Sequence, residues 1–183
     1  MLIEIRELEA HPVDFLEEIP SGAIDFGPDI HQSGTLEASG RAQLVQEHHG
    51  KHQLINDIRV TGGFAIKVEL SCARCLEPIN REVTRKFDLL YRPRGADAGR
   101  EELSVTAVEA EVGYYEGGGL LLEDLLREQI LLALPFRAIC REDCRGLCVH
   151  CGRNLNLEQC GCAEPFEDPR WSALKDIREK FEH

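Results

Sequence analysis

The sequence predicts an α+β protein: an antiparallel, open-barrel-like sheet capped by an amphipathic helix, then a small cysteine-rich module and a C-terminal helix. Three observations predict it. Apolar and polar residues alternate with period two across most of residues 36–91, the signature of strands with one buried face. Residues 120–135, LLLEDLLREQILLALP, carry a helical apolar stripe. Six of the eight cysteines fall between Cys140 and Cys162. The expected division is a β-rich domain with its capping helix over 1–135 and a cysteine-rich module with a terminal helix over 136–183. A chain of 183 residues is long enough to bury a core of its own.

In chain order, residues 1–9 alternate through Leu2, Ile3, Ile5 and Leu8 and read as a short strand. The next stretch, HPVDFLEEIPSGAIDFGPDIHQSG, is broken by Pro and Gly and reads as an irregular loop with at most one helical turn. Leu36, Ala38, Gly40, Ala42 and Leu44 then mark a strand, and EHHGKH a turn. LINDIRV reads as a second strand. GGFAIKVELSC reads as a third, with Phe64, Ile66, Val68 and Leu70 on one face. INREVTRKFDLLYRP is a fourth, bearing Val83, Phe87, Leu89 and Tyr91. Short Gly-containing turns between strands imply antiparallel neighbours and a meander. RGADAGREEL reads as a mobile loop and residues 105–115 as a short strand, with the glycines at 117–119 as a break. In the helix that follows, Leu121, Leu122, Leu125, Leu126, Ile130, Leu132 and Ala133 share one face, and Pro135 ends it. Asp168 as N-cap, Pro169 at the first helical position and a stripe of Trp171, Leu174, Ile177 and Phe181 predict the terminal helix.

Composition narrows the function. No apolar run reaches the roughly 18–20 residues that span a bilayer. The acidic, alternating N-terminus does not read as a secretory signal, so the expectation is a cytoplasmic protein without a membrane partner. In a reducing compartment, clustered cysteines hold metal more readily than they form disulfides. The net charge is −12, unevenly spread. Residues 1–40 hold nine acids and one Arg, and residues 101–128 eight acids and one Arg. Residues 72–100 hold seven bases against four acids, and residues 137–153 four Arg against two acids. The cysteine-bearing segments are therefore the basic ones, and local positive patches can still dock phosphate on an acidic protein.

Two cysteines in a C-x2-C turn point both sulfurs at one tetrahedral ion. The eight cysteines divide most simply into two zinc sites. Cys148, Cys151, Cys160 and Cys162 form a compact downstream tetrad. Cys72, Cys75, Cys140 and Cys144 form an upstream one that clamps distant parts of the chain, although Cys140 or Cys144 could instead serve the downstream metal. Four protein ligands leave no open position, so both Zn2+ sites are expected to be structural. An iron–sulfur cluster shares the all-thiolate ligation, but nothing else in the chain suggests electron transfer. Cys72–Cys75 follows a strand and leads to Pro78, which is not a thioredoxin-like context. His48, His49 and His52 read as a solvated turn. No catalytic constellation or phosphate loop is visible, so no small-molecule substrate is expected and the protein reads as not an enzyme. Arg141, Arg145 and Arg153 alternate with the ligands and could offer guanidinium forks to phosphate. Arg81, Arg85 and Lys86 lie in a second basic run.

The segments CARCLEPI, ILLALP, CREDCRGLCVHCGRNLN, the C-x-C and DPRWSALKDI, in this order, resemble the bacterial YceD family over roughly residues 35–181. The resemblance implies a non-enzymatic factor for the synthesis, processing or stability of large-subunit ribosomal RNA. The implied partners are precursor rRNA or ribosomal proteins. Family members similar in the C-x2-C but without the GLCVHC…CGC tetrad imply that the two sites are separable, and favour pairing Cys72 and Cys75 with Cys140 and Cys144. The alternative function is a zinc-stabilised module that binds a basic ribosomal protein without touching RNA.

Overall fold

A computed structural model describes residues 1–49, 53–96 and 112–162. Three long strands dominate it: β4 over Leu36–His49, β5 over Gln53–Ser71 and β6 over Pro78–Pro93. The alternation expected on β4 and β5 holds. Leu36, Ala38 and Ala42 are buried, as are Phe64, Ile66, Val68 and Leu70. Around these strands lie β1 (Leu2–Glu4), α1 (Ile5–Ala10), β2 (Val13–Ile19), β3 (Ile30–Gln32), β7 (Val112–Tyr115), β8 (Gly119–Leu121) and α2 (Leu122–Ala133). The main sheet runs β2-β4-β5-β6-β7, with β3 paired to β5 beyond the start of β4, and it is not closed into a barrel. Sheet outweighs helix throughout the described residues.

Four expectations are corrected. The first strand stops at Glu4, because its partner β8 offers only Gly119–Leu121, and IRELEA, rich in helix formers, continues as α1. Residues 13–19 are a strand rather than a loop. Val13, Phe15 and Ile19 are buried against β4 while Asp14 and Leu16 point out, and Pro12 and Pro20 bracket the strand instead of dissolving it.

The third correction concerns Gly62 and Gly63, expected to open a third strand separate from LINDIRV. They lie in the middle of the single strand β5, and Gly62 faces Gly40 of β4. Phe15 sits across from Gly40 on β2, so Phe15, Gly40 and Gly62 form one row across three strands, and the Phe87 ring of β6 reaches Gly62. A Cβ on Gly40 would come within 2.6 Å of the Phe15 ring and 2.8 Å of the Gly62 Cα. One on Gly62 would come within 3.1 Å of the Phe87 ring. The glycines are there to admit two phenyl rings over the sheet, not to turn the chain. Phe87 also stacks on Phe64, centroids 6.5 Å apart.

Fourth, the sheet is not wholly antiparallel: β7 pairs parallel to β6, Leu90 opposite Val112. A parallel neighbour needs a crossover connection rather than a tight hairpin. Of the strand expected at 105–115, residues 105–111 lie outside the described residues, as do much of the loop expected at 94–103 and the whole terminal helix. Around residues 57 and 58 both faces of β5 are covered, since Asp57 and Ile58 point opposite ways and each is fully buried. Asp57 is held there by Arg92, which donates through Nη2 at 2.9 Å and Nε at 3.3 Å. This bidentate pairing offsets the desolvation of both charges.

Helix α2 buries Leu122, Leu125, Leu126 and Ile130. Leu121 and Leu132, expected on the same face, are exposed, and Gln129 is buried in their place. The helix lacks a capping side chain, and the Met1 carbonyl accepts the Leu122 N–H instead. Glu128 accepts the Tyr91 hydroxyl of β6, and burial together with that carboxylate raises the Tyr91 pKa. No helix among the described residues is long and apolar enough to cross a membrane.

The chain divides into two compact units. One takes Met1–Leu70 with Asn80–Phe136, and the other takes Ser71–Ile79 with the chain from Arg137 onward. The first contains the sheet and α2. The second contains all eight cysteines.

Replacing Gly40 by Ala should destabilise the sheet by about 1–3 kcal/mol through forced displacement of the Phe15 ring and β5 backbone. Urea unfolding checks this, and a loss under about 0.5 kcal/mol would rule the steric reading out.

Candidate metal centres

The second unit is built on two copies of one turn. In the first, the Cys72 N–H donates to the Glu77 carbonyl and the Leu76 N–H to the Cys72 carbonyl, both at 2.9 Å. In the second, the Cys148 N–H donates to the Arg153 carbonyl at 2.8 Å and the Gly152 N–H to the Cys148 carbonyl at 2.9 Å. Each turn places two sulfurs on one side. It also forces the residue after the second cysteine into the left-handed region: Leu76 at φ 62° and Gly152 at φ 72°. Glycine takes that conformation freely, whereas leucine does so at a cost of about 1–2 kcal/mol. Leu76 nonetheless stands there with its side chain 63% exposed.

Two groups of four sulfurs result. Those of Cys72, Cys75, Cys140 and Cys144 lie within 4.8 Å of one another, and so do those of Cys148, Cys151, Cys160 and Cys162. Cys140 and Cys144 thus stand with Cys72 and Cys75, and the downstream group draws on neither of them. In the upstream group Cys72 and Cys144 are 3.9 Å apart and Cys75 and Cys140 3.7 Å. Thiolates at ~2.3 Å from a tetrahedral ion have edges of about 3.8 Å, whereas a disulfide would need about 2.0 Å. The donor set and its spacing therefore fit a metal ion in each group.

Neighbouring groups hold the upstream tetrad in place. Ile79 and Leu147 pack on the buried Cys72, Cys75 and Cys144. The Leu147 N–H donates to the Arg74 carbonyl, and Arg74 Nη1 returns bonds to the carbonyls of Glu142 and Cys144. A Cβ on Gly146, at φ 74°, would meet the Arg74 carbonyl at 2.9 Å, so only glycine lets the two segments come this close. Arg74 and Cys140 aim their backbone N–H groups at the Cys72 sulfur, at 3.5 and 3.4 Å, and Asn156 aims its side-chain amide at the Cys144 sulfur at 3.3 Å.

The electrostatics have the same cause in both groups. Burial works against a Cys72 thiolate, but N–H donors from Cys75, Arg74 and Cys140 outweigh it and bring its pKa down to about 6. Burial also opposes a Cys144 thiolate, and the Asn156 amide helps lower its pKa. Cys140 is pushed up to about 12 by burial and then by the neighbouring sulfurs. Downstream, the N–H groups of Cys151 and His150 bring Cys148 down to about 6, while Cys151 beside it pushes Cys162 up to about 12. Four sulfurs this close repel one another as anions, and a divalent cation at the centre removes the repulsion.

A family model described as "Large ribosomal RNA subunit accumulation protein YceD" matches residues 60–178, a span that contains both tetrads. This chain belongs to the YceD family. Among curated proteins, an uncharacterized protein of Mycobacterium tuberculosis is 32% identical over 148 residues, 81% of this chain and 64% of that protein. One from Mycobacterium leprae is 32% identical over 122 residues, 66% of this chain and 53% of its own length. The chloroplastic large ribosomal RNA subunit accumulation protein YCED homolog 1 of Arabidopsis thaliana is 33% identical over 57 residues, 31% of this chain and 18% of that one. The chain thus spans 64% or less of the length of these relatives. No solved structure matches it.

The cations expected to meet phosphate are not equally available in this YceD-family chain. Arg141 donates to Asn156 Oδ1 at 2.9 Å and pairs with Asp143, and Arg153 pairs with Glu158 at 3.5 Å. Arg81 is also partnered. Arg85 and Lys86 in the first unit and Arg145 in the second are exposed and without an ion pair among the described residues. His48 and His49 end β4, where their side chains fall outside the described residues, as does His52 entirely. Sequence reasoning missed Arg74, Leu76, Asn154 and Asn156. For the two asparagines a signal was present, the N-L-N run between the C-x2-C and the C-x-C.

Native mass spectrometry of the reduced chain should count two divalent ions, and Cys72→Ser or Cys148→Ser should each remove one. Leu76→Gly should raise stability by about 0.5–1 kcal/mol by relieving the left-handed leucine. An unchanged or lowered urea midpoint would show that the exposed side chain contributes more than the strain costs.

Proposed function

We propose that this chain is a non-enzymatic factor for the accumulation of large-subunit ribosomal RNA. In this reading it is a cytoplasmic protein that takes part in ribosome biogenesis by binding precursor rRNA. The observation that carries the reading is the family match across residues 60–178. Zinc is the metal assigned to both tetrads, because all-thiolate tetrahedral ligation suits it and leaves no coordination position for a substrate. When bound it supplies charge neutralisation and a rigid cross-link. The chain's own groups do the rest. Cys72, Cys75, Cys140 and Cys144 join the Ser71–Ile79 turn to the chain beyond Arg137, and Arg85, Lys86 and Arg145 offer unpaired cations to phosphate. RNA contact through these positions supports accumulation by shielding a precursor rather than by a reaction.

A second reading has one observation in its favour. Glu4, Glu7, Glu9 and Glu18 are exposed on the first β-α-β stretch, and Leu16 is 83% exposed on the edge strand β2. An acidic edge with an apolar residue at its centre suits a basic ribosomal protein.

Binding of a large-subunit rRNA fragment to the zinc-loaded chain should weaken with salt at a log–log slope of about −2 to −3, as three phosphate contacts require. Arg85→Gln, Lys86→Gln and Arg145→Gln together should flatten that slope to near zero while leaving the metal count unchanged. No RNA retention at low salt, with capture of a basic ribosomal protein instead, would transfer the function to the second reading. Chelation of the reduced chain should make residues 140–162 the first segment cut by protease, because so short a stretch has little core of its own. Equal protease resistance before and after complete metal removal would contradict the structural role.

A further inference from the structure

Asn156 belongs to the downstream centre by sequence and to the upstream centre by contact. It lies in the loop between Cys151 and Cys160, two sulfurs of the downstream tetrad. Its side chain nevertheless completes the surroundings of Cys144. Asn156 Nδ2 donates to the Cys144 sulfur at 3.3 Å, while Oδ1 accepts the Arg145 N–H at 2.8 Å and Arg141 Nη2 at 2.9 Å. Two donors converging on Oδ1 set the amide orientation, so the N–H must face the sulfur. Asn154 holds Asn156 in turn, its Oδ1 accepting the Asn156 backbone N–H at 3.0 Å and Nδ2 at 2.8 Å. Asn154 Nδ2 reaches Glu77 Oε1 at 3.1 Å, just past Cys75, and the Leu155 N–H donates to the Gly146 carbonyl at 2.9 Å.

The loop carrying these groups has little apolar packing to hold it. Arg153, Leu157, Glu158 and Gln159 are exposed, and residues 154–156 are only half-buried. With so little apolar contact, its closure rests on a few hydrogen bonds, among them Leu155 N–H to the Gly146 carbonyl and Asn154 to Glu77, and on the gathering of four sulfurs at its ends. We propose that Asn156 couples the two metal centres, so that an ion on the downstream tetrad tightens the hold of the upstream tetrad on its own. Asn156 is a positioning residue. It steadies the Cys144 thiolate by an N–H···S bond and the 141–145 backbone by its carbonyl, and it can do both only while its loop is closed. Coupling between two binding equilibria is reciprocal, so a loaded upstream site favours loading downstream by the same factor. The proposal rests on the reading that both tetrads bind metal.

The test uses the full reduced chain, Zn2+ competed against a chromophoric chelator, and native mass spectrometry to count occupancy. The variants are Asn156→Ala, the pair Cys160→Ser and Cys162→Ser, and all three together. Each change should weaken upstream Zn2+ binding about ten-fold or more, the usual loss when an outer hydrogen bond to a ligand is removed. The combination should cost no more than the larger of the two. Asn156→Asp retains the acceptor for Arg141 and Arg145 but removes the donor. It should weaken binding at least as much as Asn156→Ala, and should shift the thiolate-to-metal absorption band of upstream-bound Co2+. A drop of less than two-fold for Asn156→Ala, wild-type behaviour of Asn156→Asp, or losses that add in full would overturn the coupling while leaving two independent sites. A wild-type chain that takes up no Zn2+ at all would overturn the metal reading and this inference with it.

Discussion

The geometry of four sulfurs around one point governs the second unit. Cys72 and Cys75 come from the turn between β5 and β6, and Cys140 and Cys144 from chain more than sixty residues later. The apolar side chains packed on the buried cysteines of this group are the partly buried Ile79 and Leu147, too few to hold such distant segments together by burial alone. The work falls to backbone hydrogen bonds through Arg74 and to the sulfurs. Bringing anionic thiolates within 4 Å is unfavourable by itself, which is why N–H donors surround Cys72 and Cys144 and why a dication fits the centre. Closing so long a loop removes a large conformational entropy from the unfolded chain, and this is where a metal cross-link is most effective.

The same economy explains the departures from ordinary residue preference. Gly146 and Gly152 sit where a side chain would collide with Arg74 or where the backbone must turn left-handed. Leu76 occupies the left-handed position of the other turn, although the hydrogen bonding around it matches that of Gly152. In the sheet, Gly40 and Gly62 yield their space to the rings of Phe15 and Phe87. At Gly40, Gly62 and Gly146 another group comes unusually close, whereas Gly152 and Leu76 mark a left-handed turn with open space beside Gly152.

Much of the sheet was legible because its residues obey a local rule. Leu36, Ala38 and Ala42, and then Phe64, Ile66, Val68 and Leu70, alternate because one face of each strand is buried, and period two records that directly. The run at 13–19 hid its strand between two prolines. The pair Gly62–Gly63 suggested a break between two strands because a glycine's reason is not local: the same residue serves a bend or a crowded crossing, and only the neighbour across the sheet tells which. The parallel direction of β7 was invisible for a similar cause, since a short strand does not encode which way its partner runs.

The sequence by itself determined that Cys72–Cys75 and Cys148–Cys151 would each form a two-sulfur turn, and that long alternating segments would form a sheet, because those properties depend on spacing along one chain. It could not decide which sulfurs meet. Cys140 and Cys144 were open to either metal until the Arg74 and Leu147 hydrogen bonds placed them beside Cys72 and Cys75. Nor could it show which cations stay free, since Arg141 and Arg153 lose their availability to Asn156, Asp143 and Glu158 through space. The physical reason is the same for both. Ligand geometry within a turn is a short-range property of the backbone, whereas the partner of a sulfur or a guanidinium is whichever group the completed fold brings within about 4 Å.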